Sequence, residues 1–232
     1  MLLYRFAKRL FDVLSSLVAL IVFSPMWLVI AVGIRISSKG PVFYTTERIG
    51  KGGKPFLLYK FRSMHVYRAD VEGKKSEGGY IANAGRIFPF GGFLRKSKLD
   101  ELPQLINVFF GQMSVVGPRP VPITSVNRNY IGKYRCILDV KPGLTCLDSL
   151  FDYAHGELFV SSNEEYKAKI VPVRNELAKM YVERRNVRLD LYCIIRTLQL
   201  MFLIAVRKKR TFIYTKYEVK AAETMLGGAA AN

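Results

Sequence analysis

The sequence predicts an α+β fold with an apolar N-terminal helical segment, a small domain built on a β-hairpin and short helices, and a C-terminal amphipathic helix. Residues 13–34 carry no charged side chain. Residues 42–64 alternate apolar and polar positions around the glycine-rich turn "GKGG", as strands of a hairpin do. Residues 187–206 are apolar but are interrupted by charged and amide side chains. The predicted boundaries are 1–38, 39–186 and 187–232.

The chain is strongly basic. Its 232 residues include 36 Lys and Arg against 18 Asp and Glu, a net charge of +18. This charge favours an anionic partner, such as nucleic acid, an anionic membrane surface or a phosphorylated substrate. Half of the residues are apolar, which argues against a disordered basic tail. The three scattered cysteines predict neither a disulfide framework nor a zinc site, and they indicate a reducing, cytoplasmic setting.

The N-terminal segment is long enough to enter a membrane, because about 20 apolar residues cross a bilayer core. Basic residues flank it on both sides, and Ser24 and Pro25 stand near its middle. Proline removes a backbone donor and bends a helix, and the serine hydroxyl can satisfy a backbone group freed at the break. Two arrangements remain open: a kinked spanning helix, and a re-entrant helix that turns at Ser24 and Pro25 and returns to the cytoplasmic face.

The remaining elements follow from local patterns. Residues 68–86 are rich in Gly, Lys and Glu and predict a mobile loop. A short apolar helix is predicted to begin near Pro103 and to end near Gly111. The proline-rich "VVGPRPVP" is predicted to be extended, and residues 163–185 to be helical.

The C-terminal helix at 187–206 is a poor spanning helix, because Arg196 and Gln199 lie inside it. One interpretation places it in the membrane interface, with the basic run 207–210 reaching anionic head groups. A helix packed on the domain core explains the same pattern equally well.

An acidic pair stands out in so basic a chain. "KSKLDELPQL" places Asp100 and Glu101 just ahead of Pro103. At a helix start two adjacent carboxylates can face a common point, but acidic residues in a first turn are also typical of ordinary capping. The pair alone therefore leaves a structural and a catalytic role open.

Basic residues elsewhere favour the catalytic role. Lys60 and Arg62 alternate along a predicted strand, Arg95 precedes the acidic pair, and Arg119 stands between two prolines. Arginine presents a planar fork of donors that suits phosphate oxygens. Two carboxylates able to hold a divalent cation, with several cations nearby, are the groups that phosphoryl transfer requires. These four basic residues are the predicted phosphate and substrate ligands.

A longer series of motifs resembles one family. "KRLFD", "FSP", "GPVFY", "ERIGKGGKPFLLYKFRSM", "LRKSKLDELPQLINVFFGQMSVVGPRP" and "KPGLT" occur in the order seen in bacterial monotopic phosphoglycosyl transferases of the undecaprenyl-phosphate phosphosugar transferase type. The resemblance covers roughly residues 5–145. It implies transfer of a phosphosugar from a UDP-sugar to a polyprenol phosphate, with Mg²⁺, on the cytoplasmic face of the bacterial inner membrane. It also implies a re-entrant helix bent at Ser24 and Pro25.

The resemblance also implies roles for individual residues. By position, Asp100 is the nucleophile that releases UMP and forms an aspartyl phosphosugar, and Glu101 is its partner. Both carboxylates are candidate Mg²⁺ ligands. Arg95 and Arg119 fall on the phosphate-contacting arginines.

Two departures and two alternatives accompany this interpretation. The chain has KSKLDE where the family usually has KTSLDE, and "CLDSLFDYAHGELF" replaces the usual run after "KPGLT". The sugar is therefore not predicted, and the oligomeric state is not either.

One alternative is a membrane-anchored basic module that binds lipid or nucleic acid without catalysis; it leaves the acidic pair without a role, and no nucleic-acid-binding motif is present. The other is a one-step transferase in which Asp100 only binds metal. The predicted partners are the donor, the acceptor and anionic lipids.

Overall fold

The computed structural model of the protein describes residues 2–66, 85–153 and 162–206, together with Tyr217. These residues form helices and two small two-stranded sheets, which confirms the predicted α+β class. The loop predicted at 68–86 lies almost entirely outside the described residues.

The helices and strands are numbered in chain order. They are α1 Leu2–Val22, α2 Ser24–Ser37, β1 Phe43–Ile49, β2 Pro55–Phe61, α3 Pro89–Lys96, α4 Gln104–Phe109, β3 Ser114–Val116, α5 Ile123–Asn129, β4 Gly143–Thr145, α6 Leu147–Phe151, α7 Val171–Arg184 and α8 Val187–Val206. Shorter 3₁₀ segments occur at Lys51–Gly53, Leu99–Glu101 and Gly132–Asp139, and a helical turn at Asn163–Glu165 continues into the π-helical segment Tyr166–Ile170.

The junction of α1 and α2 is bent by 60°, as the proline predicts. Pro25 lies in the first turn of α2 and has no N–H to donate to the carbonyl of Ile21. The hydroxyl of Ser24 donates to that carbonyl instead, at 2.7 Å. Among the described helices none has by itself the length and apolar composition of a membrane span, whereas α1 and α2 together do.

Polar contacts fix α1 to the domain. Asp12 is buried and accepts hydrogen bonds from the Ser114 hydroxyl at 3.0 Å and from the Val115 N–H at 2.9 Å. Arg9 donates from both terminal nitrogens to carbonyl oxygens at the C-terminal end of α4, at 2.8 and 2.7 Å. These contacts join α1 to β3 and α4, the elements on either side of a short loop.

The other arm of the bend is also packed on the domain. Ile30 and Ile34 of α2 are buried in one apolar cluster with Phe61 of β2. Gly33 faces the ring of Phe90 so closely that a Cβ there would lie 2.5 Å from a ring carbon. Both arms are therefore attached to the same folded body.

Asp190 of α8 connects that helix to α1 and α7. Its carboxylate accepts hydrogen bonds from Tyr4 at 2.8 Å and Lys8 at 2.7 Å, both on α1, and from Tyr181 of α7 at 2.7 Å. This charged interruption of α8 is therefore a tertiary contact.

The rest of α8 has two faces. Leu189 and Cys193 are buried in the core, whereas the opposite face is apolar and exposed. Arg196 donates to Gln199 at 3.2 Å on the exposed side. The buried face agrees with a helix packed on the domain core, and the exposed apolar face agrees with a helix in the membrane interface. The exposed apolar residues are Val187, Leu191, Ile195, Leu198, Met201 and Phe202.

The predicted hairpin is confirmed. Strands β1 and β2 are antiparallel, with Phe43 opposite Phe61. The turn between them uses Gly52 and Gly53, whose φ values of 68° and 76° lie in the left-handed region that glycine tolerates. Strands β3 and β4 are parallel. The hairpin presents Lys60 toward the turn that carries the acidic pair.

Candidate active site

The acidic pair lies in a tight turn between α3 and α4. Asp100 and Glu101 belong to the 3₁₀ segment Leu99–Glu101, and α4 begins at Gln104 after Pro103, close to the predicted start. The turn is preceded by Lys98, whose φ of 59° is left-handed, a conformation that non-glycine residues adopt rarely. The two adjacent carboxylates enter different surroundings.

Glu101 is held by cations. Its Oε1 lies 2.9 Å from Nζ of Lys60 and 3.6 Å from Nη2 of Arg119, and its Oε2 accepts the hydroxyl of Tyr153 at 3.3 Å. Burial alone would raise the pKa of Glu101, but the charges of Lys60 and Arg119 outweigh it and hold that pKa well below its ordinary value. Glu101 is therefore ionised, and both of its oxygens have partners.

Asp100 is buried with less compensation. Its side-chain oxygen Oδ1 has no hydrogen-bond partner. Burial raises the pKa of Asp100, and the charges of Lys60, Lys98 and Arg95 offset this only in part while Glu101 adds to it. A desolvated carboxylate that lacks a hydrogen bond is more basic and more nucleophilic than one in water.

Arg119 lies between the acidic pair and α6. Its main-chain N–H donates to Oδ2 of Asp148 at 3.0 Å, its Nη1 donates to the Tyr153 hydroxyl at 3.3 Å, and its Nε lies 3.9 Å from Oδ2 of Asp152. Burial would lower the pKa of Arg119, but Glu101 and the other anionic groups outweigh it and raise that pKa. The guanidinium is charged at every working pH.

The contacts of Arg119 come largely from the segment that departs from the family pattern. Asp148, Asp152 and Tyr153 lie in or directly after α6, and Lys98 places its ammonium 4.4 Å from the centre of the Tyr153 ring. These three residues were not among the predicted site residues. The available signal was two aspartates four positions apart, in a chain with only 18 acidic residues, a spacing that puts both on one helix face.

Arg174 of α7 completes this side of the site. It lies 3.9 Å from Oδ2 of both Asp148 and Asp152 and donates to the Tyr166 hydroxyl at 2.6 Å, which in turn donates to Asp152 at 2.6 Å. Burial would raise the pKa of Asp152, but Arg174 and Arg119 outweigh it and lower that pKa. The pKa of Asp148 is raised, mainly by burial.

The structure does not bring Arg62 to the acidic pair. Strand β2 ends at Phe61, and the buried Arg62 guanidinium turns to the end of α2. Its Nε donates to the Pro41 carbonyl at 2.6 Å, its Nη1 to the Ser38 hydroxyl at 2.8 Å, and its Nη2 to the Ser38 carbonyl at 2.7 Å. All three nitrogens have partners within the protein, so the predicted phosphate-binding role has no support in this geometry. Arg95, at the end of α3, does lie close enough to Asp100 to influence its pKa.

A divalent cation fits Asp100 better than it fits the pair. Within the described ranges, no group of three or more His, Cys, Asp or Glu side chains gathers in metal-binding proximity. Mg²⁺ is commonly bound by one or two carboxylates, waters and substrate phosphates. The unpartnered Oδ1 of Asp100 is a suitable hard ligand, whereas both oxygens of Glu101 already have donors.

Comparison with known proteins agrees with the motifs. The bacterial sugar transferase family model matches residues 3–203. The UDP-glucose:undecaprenyl-phosphate glucose-1-phosphate transferase of Klebsiella pneumoniae is 39% identical over 192 residues, which are 82% of this chain and 39% of that protein. The UDP-N-acetylgalactosamine-undecaprenyl-phosphate N-acetylgalactosaminephosphotransferase of Aeromonas hydrophila is 33% identical over 201 residues, 85% of this chain and 44% of that protein.

A shorter relative is more similar over less of the chain. The exopolysaccharide production protein PSS of Rhizobium leguminosarum bv. phaseoli is 47% identical over 112 residues, 48% of this chain and 54% of that protein. The chain thus spans about two fifths to one half of the length of these relatives. On the match of residues 3–203, the chain belongs to the bacterial sugar transferase family.

Proposed function

We propose that the protein transfers a phosphosugar from a UDP-sugar to a polyprenol phosphate, with Asp100 as a covalent nucleophile. The observation that carries the proposal is the buried Asp100 carboxylate, whose Oδ1 has no hydrogen-bond partner, beside a cluster of Lys60 and Arg119 around Glu101. The names of the relatives, which are transferases that use UDP-sugars and undecaprenyl phosphate, support the substrate classes.

The first half-reaction is the attack of Asp100 on the donor. A carboxylate oxygen of Asp100 forms a bond to the β-phosphorus, the bond from that phosphorus to the bridging oxygen breaks, and UMP leaves with the electron pair. Lys60 and Arg119 lie beside the attacking residue and offset the negative charge of the phosphates. A Mg²⁺ ion held by Asp100 and the donor phosphates would add further charge neutralisation.

In the second half-reaction an oxygen of the polyprenol phosphate attacks the phosphorus of the aspartyl phosphosugar. The bond to Asp100 breaks, which regenerates the carboxylate and gives a polyprenyl diphosphosugar. A phosphate monoester has a second pKa near 6 and is already ionised at neutral pH, so the attack needs no general base. Glu101, whose low pKa makes it a poor base, instead holds Lys60 and Arg119 in place.

The bent helix pair supports a monotopic attachment to the cytoplasmic face of the membrane. Both arms of the bend pack on the same folded body, so a chain inserted as far as the bend returns to the side from which it entered. The exposed face of α8 offers a second contact with anionic lipid head groups and acyl chains. The exposed apolar side chains along the bent pair include Leu14, Leu17, Val18, Ile21, Val22, Leu28, Val29, Val32 and Ile36.

Mass spectrometry of the protein mixed with a panel of UDP-sugars and Mg²⁺, without lipid, tests the proposal. We expect UMP release of about one equivalent and a phosphosugar adduct on the peptide that contains Asp100. The Asp100→Asn variant, which is nearly isosteric but cannot form the acyl phosphate, should show neither. Normal lipid-dependent turnover without any trapped adduct would instead establish a one-step transfer.

A further inference from the structure

Arg119 belongs to a cluster of four charged residues, here called the charge ring: Arg119, Asp148, Arg174 and Asp152. Asp148 receives the main-chain N–H of Arg119 at 3.0 Å and lies 3.9 Å from Arg174. Asp152 lies 3.9 Å from the Nε of Arg119 and 3.9 Å from Nη1 of Arg174. Two arginines and two aspartates balance in charge. Asp152 faces both guanidinium groups, whereas Asp148 faces the guanidinium of Arg174 and the main chain of Arg119.

Within the charge ring, Arg174 has partners other than the acidic pair. Its side chain is 13% exposed and is held by the Tyr166 hydroxyl at 2.6 Å, which also holds Asp152 at 2.6 Å. Arg174 therefore has its orientation set by α6 and by the helical segment that leads into α7. Among its recorded polar partners, none is Asp100, Glu101 or Lys60.

The charge balance shows what Arg174 does for Arg119. Without Arg174, two buried carboxylates would have one arginine between them, and a buried charge without a partner is strongly unfavourable. Asp152 would then draw the Arg119 guanidinium toward α6. That movement would lengthen the contact from Nη2 of Arg119 to Glu101, which at 3.6 Å is already loose.

We propose that Arg174 is a positioning residue that acts through Asp148 and Asp152 to direct the Arg119 guanidinium at Glu101 and at the donor phosphates. The proposal rests on the proposed function for the identity of the donor. The residues that hold Arg119 in this way come from the segment after "KPGLT", where the chain departs from the usual family pattern, and from α7.

A double-mutant cycle on Arg119→Lys and Arg174→Met tests the coupling, because two residues that act as one unit give non-additive losses. KM and kcat for UMP release and the Kd for UDP are measured for the wild type, both single variants and the double variant. We expect Arg174→Met to raise KM and Kd about tenfold with kcat within about threefold, the signature of lost donor binding. In the Arg119→Lys background the same change should weaken binding by no more than about twofold.

Two further variants separate positioning from general stability. Arg174→Lys keeps the charge but cannot reach both carboxylates as a fork, so it should raise KM in the same way while retaining the fold. Glu176→Gln is the matched control on the same helix, because Glu176 is buried and paired with Lys133 and Lys179, outside the charge ring. It should lower the unfolding midpoint and leave KM and Kd unchanged.

The outcomes are distinguishable. A full loss of about tenfold from Arg174→Met in the Arg119→Lys background, as in the wild type, overturns the role of Arg174, as does a fall in stability with unchanged Kd for UDP. A wild-type protein that releases UMP from no UDP-sugar overturns the proposed function, whereas the UDP-binding cycle on the same proteins still decides whether Arg174 acts through Arg119.

Discussion

Lys60 and Arg62 leave the same end of β2 two positions apart, yet they serve two different regions. The side chain of Lys60 is 20% exposed, and its ammonium pairs with the carboxylate of Glu101. The guanidinium of Arg62 is buried and donates to main-chain carbonyls and to a hydroxyl. A cation on a partly open carboxylate can exchange toward a substrate phosphate. A cation whose nitrogens all hold the fold cannot do so without breaking it.

The second region, here called the joint, consists of Ser38, Arg62 and His65. The Ser38 hydroxyl accepts from Nη1 of Arg62 at 2.8 Å and lies within hydrogen-bond distance of Nδ1 of His65, at 2.9 Å. The joint fixes the C-terminal end of α2, whereas the region around Lys60 and Glu101 surrounds the proposed nucleophile.

The largest expected effect on stability comes from removing Arg62. Arg62→Met removes the donor to the buried Ser38 carbonyl and hydroxyl and to the part-buried Pro41 carbonyl, and we expect a loss of about 3–5 kcal/mol in the free energy of unfolding, since each unsatisfied buried group costs about 1–3 kcal/mol. Denaturant unfolding in detergent measures it. The KM for donor of the protein that remains folded should not change. A stable variant with a raised KM would instead restore the predicted phosphate-binding role.

Lys60→Met is the opposite case. We expect kcat/KM for the donor to fall by roughly 10- to 100-fold, because a positioned cation is lost from the site. The unfolding midpoint should fall less than for Arg62→Met, since Glu101 keeps Arg119 and the Tyr153 hydroxyl as partners. Steady-state UMP release and thermal melting of the same samples measure both. A large loss of stability with unchanged kinetics would make Lys60 a second joint residue.

Asp100→Asn should stabilise the protein as it abolishes turnover. Burial raises the pKa of folded Asp100, so its ionised form destabilises the folded state at neutral pH. In metal-free buffer the variant should therefore be more stable than the wild type at neutral pH. The advantage should shrink as the pH falls below the raised folded pKa and vanish near the ordinary value of about 3.9. An advantage that is independent of pH would show that ionisation of Asp100 is not its cause.

The smallest expected effect lies at the other end of α2. Ser24→Ala removes the donor to the Ile21 carbonyl and should cost about 1 kcal/mol, while Pro25 still imposes the bend. Pro25→Ala restores a backbone N–H and should favour a straight helix. Labelling of an N-terminal cysteine in intact cells distinguishes them: Ser24→Ala stays inaccessible from outside, and Pro25→Ala becomes accessible. Labelling of the N-terminal cysteine from outside the cell in the otherwise wild-type protein would contradict re-entrant insertion.

Features that depend on neighbouring residues were predictable from sequence. The bend at Pro25, the hairpin around Gly52 and the start of α4 after Pro103 each follow from backbone chemistry within a few residues. Motif resemblance selected Asp100, and its place beside Lys60 agrees with the prediction that cations surround the acidic pair.

Features that depend on partners distant in the chain were not predictable from sequence. Strand alternation predicted one face for Lys60 and Arg62, but β2 ends between them and Arg62 meets residues 24 positions earlier. Asp148 and Arg174 have no local signal that pairs them, because only the packing of α6 on α7 brings their charges together. Asp100 and Glu101 differ in whether a side-chain oxygen lacks a hydrogen-bond donor, and that difference depends on tertiary contacts.

The contact of Arg9 with α4 has a consequence for where the chemistry takes place. Helix α4 has six residues, a rod about 9 Å long, with Arg9 at its far end and the turn of Asp100 just before its near end. Under the proposed insertion, the position of α1 in the membrane therefore sets the height of the nucleophile Asp100 above the acyl chains. Bilayer thickness and head-group size then become variables of the second half-reaction, because the lipid phosphate must reach that height.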